Sequence, residues 1–329
     1  MSLDPALLAR AVALLQAGEL VALPTETVYG LGADASNPAA VAKIFAAKGR
    51  PADHPLIVHL PGDAWLEQWA TDIPQAAWDL AEAFWPGPLT LILKKQPWVP
   101  DAVTGGQDTV GLRVPGHPVA LELLKAFADA GSHGRHAGGI AAPSANRFGR
   151  ISPTTAAHVQ EELGDRVPLI LDGGPCQVGI ESTIIDLSRG RPEILRPGHI
   201  GPQRLAEVLG DLPAMHQSQG APRVSGSLES HYAPVTPVRL LAPERLLDFL
   251  TLQRHAGVSC GVLAYNQPAQ AGMPHLWHML PADPAGYAHD LYGALRDLDH
   301  QRLDLIVVEA PPDSPAWSAV QDRLRRAAA

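Results

Sequence analysis

The sequence holds only two cysteines, Cys176 and Cys260, in 329 residues, and neither stands in a C-x-x-C. Two is too few for a disulfide scaffold, and a reducing cytoplasm is the compartment we expect. There is no G-x-x-x-x-G-K-[ST], which excludes a P-loop. No apolar run approaches the length of a bilayer span, so no membrane association is expected. The opening Met1-Ser2-Leu3-Asp4 has no basic stretch ahead of an apolar run, and no signal peptide is expected. Positive charge is also short: 25 basic against 34 acidic residues give a net charge of −9. That argues against a generalised grip on nucleic acid and leaves room only for a local basic cleft. No Ser-His-Asp order, paired-carboxylate motif or internal repeat stands out.

Apolar residues make up 46% of the chain, enough for a sizeable core and, at this length, for two domains. Leu7, Leu8, Val12, Leu14 and Leu15 mark one face of a helix over 4–17, stopped by Gly18. Short apolar runs predict strands at 19–23, 56–60, 89–93, 109–114, 139–142, 168–172 and 183–187. Helices are expected from Asn37-Pro38 to Lys48 and over 74–84, 118–130, 153–163 and 202–209. Residues 131–136, Gly-Ser-His-Gly-Arg-His, read as a mobile loop. The first domain thus runs over 1–210. Residues 211–236, rich in Pro, Gly, Ser and Gln, form a linker. Beyond it strands at 238–241, 260–264 and 304–308 alternate with helices at 243–254, 284–299 and 315–327. This is a small Rossmann-like α/β domain over 237–329 with a mainly parallel sheet.

Individual motifs leave alternatives open. Gly30-Leu31-Gly32-Ala33-Asp34-Ala35, with Asp53 about 20 residues on, matches the dinucleotide fingerprint weakly. Because Asn37-Pro38 delays the helix, we read the two glycines as a tight turn. Lys48 and Arg50, one residue apart at a helix end, either complement the helix dipole or bind phosphate. Arg113 alternates away from the apolar face of its strand, as an exposed charge or as a partnered arginine in a cleft. His54 and His59 lack further ligands at zinc spacing. Cys176 has no base beside it and reads as a structural thiol. Trp65, Trp69, Trp78 and Trp85 read as core. The remaining polar inventory of hydroxyls, amides, histidines and arginines suits a reaction in which the enzyme positions reactants and neutralises phosphate.

Seven stretches occur in the order of one family: Pro24–Leu31 (PTETVYGL), Lys48–Pro51 (KGRP), His54–Leu56, Trp85–Thr90 (WPGPLT), Pro143–Asn146 (PSAN), Gly179–Thr183 (GIEST) and Leu195–Gly198 (LRPG). Across residues 10–205 the chain resembles the YrdC-like L-threonylcarbamoyladenylate synthases. The linker and the second α/β domain resemble the long, two-domain form. The resemblance implies a twisted mixed-sheet α/β domain around a concave cleft. It implies use of ATP, L-threonine and bicarbonate or CO₂, with Mg²⁺ accompanying the nucleotide and pyrophosphate released. A downstream complex then transfers the threonylcarbamoyl group to an adenosine of tRNAs that read codons beginning with A. Carried over by position, it puts Thr27, His59, Arg113, Ala142 and Ser182 around L-threonine. Arg50, His54, Thr109, Ser144, Asn146, Ser152, Arg196 and Tyr232 would face ATP. Lys48 and Arg50 would neutralise charge in the reaction, and Lys48 and Asn146 complete the K-x-R…S-x-N signature. We expect the His231-Tyr232-Ala233-Pro234 segment to act as a lid; the alternative is that Tyr232 docks the second domain. Leu228, Glu229 and Ser230 stand where some long-form relatives carry basic residues. A reading from another class is a tRNA- or double-stranded-RNA-binding module without synthase activity, making weak tRNA contact through a basic cleft. A carbamoyltransferase with a similar domain would need Cys-rich zinc modules that two cysteines cannot supply.

Overall fold

Proline and a capping side chain start four of the helices. Asp4 accepts from the amides of Ala6 and Leu7 ahead of α1 (Pro5–Gln16), and Asn37 from those of Ala39 and Ala40 ahead of α2 (Pro38–Lys48). His117 and Asp283 do the same before helices opening at Pro118 and Pro284. Each cap satisfies orphan N–H groups, and each proline sits where no donor is needed. The computed structural model describes residues 3–131, 138–215, 219–226, 228–269 and 275–329, and the chain divides into two units. The expected loop over 131–136 falls, from 132 on, outside the described residues.

The first unit takes Met1–Phe148, Pro153–Gln177 and Glu181–Ser227. After α1 come β1 (Val21–Leu23), β2 (Gly30–Asp34), α2 and β3 (Ile57–His59). Then follow α3 (Leu66–Trp69), β4 (Ala70–Thr71), α4 (Gln75–Phe84), β5 (Leu89–Lys95), α5 (Asp101–Thr104) and β6 (Thr109–Arg113). The rest is α6 (Pro118–Asp129), β7 (Ile140–Ala141), α7 (Ala156–Leu163), β8 (Leu169–Ile170), β9 (Thr183–Asp186), β10 (Glu193–Arg196) and α8 (Pro202–Leu209). The strands form one mixed sheet in the order β10-β9-β5-β6-β3-β7-β2-β1-β8, with β4 on β5. One face packs Leu31, Ile44, Val58, Trp69, Leu91 and Leu112 into the larger core. At one end of the other face α1 and α6 pack Leu15, Leu123 and Phe127 on Val21, Leu23 and Ile140. At the opposite end of that face lies a small cluster of Ile57, Ile92, Ile184, Leu195 and Val224.

Gly30 and Gly32 are not in a turn: they lie in β2, paired antiparallel with β1. What they provide is close approach. A Cβ on Gly32 would stand 2.9 Å from Leu23 Cδ2 and 3.0 Å from Ile140 Cγ2. The helix expected from 153 begins only at Ala156, because Thr155 Oγ1 accepts from the His158 amide and caps it there. Trp69 is fully buried, and Trp65, Trp78 and Trp85 pack on the same core, as expected.

The second unit takes Gly149–Ser152, Val178–Ile180 and Leu228–Ala329. Its elements are β11 (Val238–Leu241), α9 (Pro243–His255), β12 (Cys260–Ala264), β13 (Leu276–Met279), α10 (Pro284–Asp299), β14 (Leu305–Glu309) and α11 (Ser318–Ala327). The four strands are all parallel, in the order β11-β14-β12-β13. β13 carries no clear alternation in the sequence; as a short edge strand with Leu276 and Met279 exposed, it needs none.

Candidate active site

Alternation along the strands builds the site. In β3 and β6, His59 lies beside Arg113 and Ile57 beside Gly111. The antiparallel register of β6 on β5 then brings Thr90 next to Arg113. Thr90 pairs with Ile184, and Ile184 with Arg196 across a bulge in β10. One row thus crosses five strands as His59, Arg113, Thr90, Ile184 and Arg196, on the face that also carries Ile57, Thr109 and Ile92.

Ser182 precedes β9 and joins the row through hydrogen bonds. Its hydroxyl lies 2.8 Å from Thr90 Oγ1 and accepts from Arg196 Nη2 at 3.0 Å. Arg196 also donates to the Ser182 carbonyl through Nε and Nη2, at 3.1 and 2.9 Å. Arg113, 4% exposed, donates Nε to the Gly87 carbonyl at 3.2 Å and Nη2 to Glu26 Oε1 at 2.6 Å. It is the partnered arginine of the two sequence alternatives. Its Nη1 has no hydrogen-bond partner among the described residues. Thr27 follows Glu26 in a turn locked by Thr25, whose hydroxyl accepts from the amides of Thr27 and Val28 and lies 2.8 Å from Thr27 Oγ1. Ala142 is tied to β3 through its amide, which donates to the Ile57 carbonyl at 3.0 Å.

The cationic stretch is assembled at the end of α2. Gly49, at φ +64°, ends the helix in the left-handed conformation. Lys48 is buried rather than solvated, and its ammonium donates to the carbonyls of Ser144 and Asn146, both at 2.5 Å. Burial and the neighbouring Arg50 hold its pKa well below the ordinary lysine value. Lys48 is therefore a strut that fixes the Ser144–Asn146 turn. Arg50 turns the other way: Nη2 donates to the Pro55 carbonyl at 2.9 Å and to Ser225 Oγ at 3.0 Å. Its guanidinium lies 5.9 Å from the Phe148 ring centre, and His54 meets the same ring edge-on at 5.3 Å. Burial and Arg50 lower the His54 pKa.

Part of the sequence-defined linker completes this face. Val224 is buried among Ile57, Ile92 and Ile184. The Ser225 hydroxyl accepts from Arg50, and its carbonyl accepts from Arg196 Nη1 at 2.8 Å. Gln107 exchanges two hydrogen bonds with the Arg223 backbone, at 2.7 and 3.1 Å. Residues 221–225 are thus a strap within the first unit, over a narrow pocket lined by Ile57, Thr109, Gly111 and Ile184.

His59 is fully buried beside Arg113, and its Nδ1 has no partner among the described residues. Burial first, and Arg113 second, lower its pKa to about 3. The neutral ring is the folded form, so below the ordinary histidine value of 6.5 the unfolded chain takes up a proton that the folded chain refuses. Stability should fall as pH drops from about 6.5 toward 3, by about 1 kcal/mol per pH unit from this residue. Melting His59→Gln and the natural protein at pH 7 and pH 5 checks this; the variant should lose less stability between the two. An equal loss would contradict it.

Ser152 and Tyr232 belong to the second unit. Ser152 is fully buried. Tyr232, at φ +62° and 1% exposed, stacks on Tyr292 at 5.7 Å, and the Arg323 guanidinium lies 5.3 Å from its ring centre. Cys176 is buried and its thiol is pushed up to about 12, an inert structural thiol. No group of three or more His, Cys, Asp or Glu suited to a metal occurs among the described residues, and none of their helices is long and apolar enough to cross a membrane.

Residues 13–198 match the Sua5/YciO/YrdC family model, described as "Telomere recombination". The chain belongs to this family. Residues 200–329 match a second model, the C-terminal domain of threonylcarbamoyl-AMP synthase, which makes this the long two-domain form. The threonylcarbamoyl-AMP synthase of Bacillus subtilis is 40% identical, over 99% of this chain and 93% of that protein. That of Pyrococcus abyssi is 38% identical, over 96% and 92%. The crystal structure of P. abyssi Sua5 complexed with L-threonine superposes with a TM-score of 0.88 at 37% identity, over 98% of this chain and 94% of that one. The expected fold, a twisted mixed-sheet domain followed by a small α/β domain, is the fold of this Sua5/YrdC chain.

Within the first unit three participants carry no signal of their own in the sequence. Thr90 carries the hydroxyl paired with Ser182, and alternation from Leu89 places it on the site face. Glu26 holds Arg113, although 87 residues separate them and no spacing rule links them. Ser225 lies in a stretch whose composition reads only as linker.

Proposed function

We propose that the protein condenses L-threonine, bicarbonate or CO₂ and ATP into L-threonylcarbamoyl-AMP, releasing pyrophosphate. The observation that carries this is the row on one sheet face. It sets a buried arginine with an open donor, Arg113, and two hydroxyls beside the guanidinium of Arg196, which Ser225 links to that of Arg50 at the end of α2. The first group suits an α-carboxylate and a side-chain hydroxyl. The second suits a triphosphate.

In this reading Arg113 Nη1 takes the threonine carboxylate, with Thr27, His59, Ser182 and the backbone at Ala142 around the amino acid. Neutral His59 adds no charge there. The amine adds CO₂, and a carbamate oxygen attacks the α-phosphate in line while the bond to the pyrophosphate oxygen breaks. Arg50 and Arg196 neutralise the charge that gathers on the leaving group. Lys48 holds the Ser144–Asn146 turn against the nucleotide, with His54 and Thr109 at its border. Ser225 now occupies both arginines, so ATP enters by displacing it. A Mg²⁺ ion would accompany ATP, held on the phosphate oxygens that are its usual ligands. The product is a mixed anhydride whose consumer is a transferase that acylates a tRNA adenosine.

Purified protein given ATP, bicarbonate and threonine tests the reading. Pyrophosphate should appear only when threonine and bicarbonate are both present. Release of ADP and orthophosphate instead would refute it. Serine lacks one methyl group, worth about 1–3 kcal/mol, and should be a substrate with kcat/KM lower by roughly 10–200-fold. Equal kcat/KM for both amino acids would show that no pocket fits the methyl.

A further inference from the structure

The residue next to Thr27 has no role in the chemistry above, yet it is among the most firmly held in the unit. Glu26 is 6% exposed, and both carboxylate oxygens are engaged on opposite sides. Oε1 accepts from Arg113 Nη2 at 2.6 Å, and Oε2 accepts from the Gly116 amide at 2.8 Å. A Cβ on Gly116 would lie 3.4 Å from Glu26 Cδ, so the carboxylate is packed as well as bonded. On its own strand side the Thr25 turn fixes the backbone. At the far end of the ion pair, the Gly87 carbonyl holds Arg113 Nε. The guanidinium is thus pinned through Nε and Nη2, which leaves both N–H groups of Nη1 to meet a ligand.

We propose that Glu26 is a positioning residue for the amino-acid half-site: it orients Arg113 so that Nη1 faces the incoming α-carboxylate. This rests on the synthase reading. A buried guanidinium without a counter-charge is costly and free to turn toward whatever acceptor lies nearest. With Glu26 in place, its orientation is set before the substrate arrives. The carboxylate acts through Arg113 and does not touch the nucleotide, so its loss should be felt by one substrate only.

Glu26→Ala opens a space shaped for a small carboxylate, and that supplies the test. In the pyrophosphate assay the KM for threonine should rise by roughly thirtyfold or more, with the KM for ATP changed by less than about threefold. Added formate should recover at least about a tenfold share of the loss, by taking the carboxylate position beside Arg113. Glu26→Gln, which fills that space, should show the same rise in KM without recovery. A threonine KM within threefold of the natural protein, or equal loss toward both substrates without formate recovery, would overturn the proposal. If Glu26→Ala does not fold, Glu26→Gln decides by the same split in KM. If neither folds, Glu26 is a structural strut and the proposal fails. Absence of threonine-dependent pyrophosphate from the natural protein would instead refute the synthase reading.

Discussion

Arg50→Ala is expected to lower threonine-dependent pyrophosphate release by roughly a hundredfold or more, in a protein that stays folded. The side chain bonds the Pro55 carbonyl and the Ser225 hydroxyl and lies against Phe148. None of these contacts joins core elements. Losing them leaves one carbonyl and one hydroxyl that water reaches once the strap lifts, a cost of about 1 kcal/mol. What the variant cannot replace is a cation aimed at the departing pyrophosphate. The effect should fall mainly on kcat, because the charge it answers is largest in the transition state. Steady-state kinetics and a thermal melt check both parts. Natural turnover in folded Arg50→Ala would remove the residue from the chemistry.

Lys48→Met should be worse in two ways. Methionine keeps much of the volume but strands two carbonyls, that of half-buried Ser144 and that of buried Asn146. Each orphaned acceptor costs about 1–3 kcal/mol, so for the two we expect destabilisation of about 2–6 kcal/mol. The turn they belong to holds Ser144 and Asn146 in the site, and activity should fall by roughly a thousandfold through misplacement. Denaturant unfolding gives the first number and pyrophosphate release the second. A variant with natural stability would mean that the Lys48 ammonium carries no structural load.

Much of this was legible in the chain because local signals agreed with the fold. Asp4-Pro5 and Asn37-Pro38 start helices where capping physics puts them, and the apolar runs at 56–60 and 183–187 form strands inside the sheet, flanked on both sides. Arg113 and Thr109 were legible as one face because strand alternation is strict. The failures share a cause: the deciding contact was distant in sequence. Gly30 and Gly32 look like turn glycines, and only Leu23, Ile140 and Ala142 show that they are there for close strand packing. Lys48 reads as a helix-end cation, for the dipole or for phosphate, and its role as a strut shows only when the Ser144–Asn146 turn, almost a hundred residues away, is placed over its ammonium. Residues 221–225 have the composition of a tether, yet Val224 finds a niche among three isoleucines and Ser225 finds two arginines.

The central claim is that a carbamate oxygen, formed on threonine held by Arg113, attacks the α-phosphate. Bicarbonate carrying heavy oxygen follows that atom directly. After one turnover with threonine and ATP, the acyl-adenylate is hydrolysed at its carbonyl carbon and the AMP is weighed by mass spectrometry. The account predicts label in the phosphate of AMP and none in pyrophosphate. Label in orthophosphate, with unlabelled AMP or with ADP as the nucleotide product, would place the attack on the γ-phosphate and contradict it.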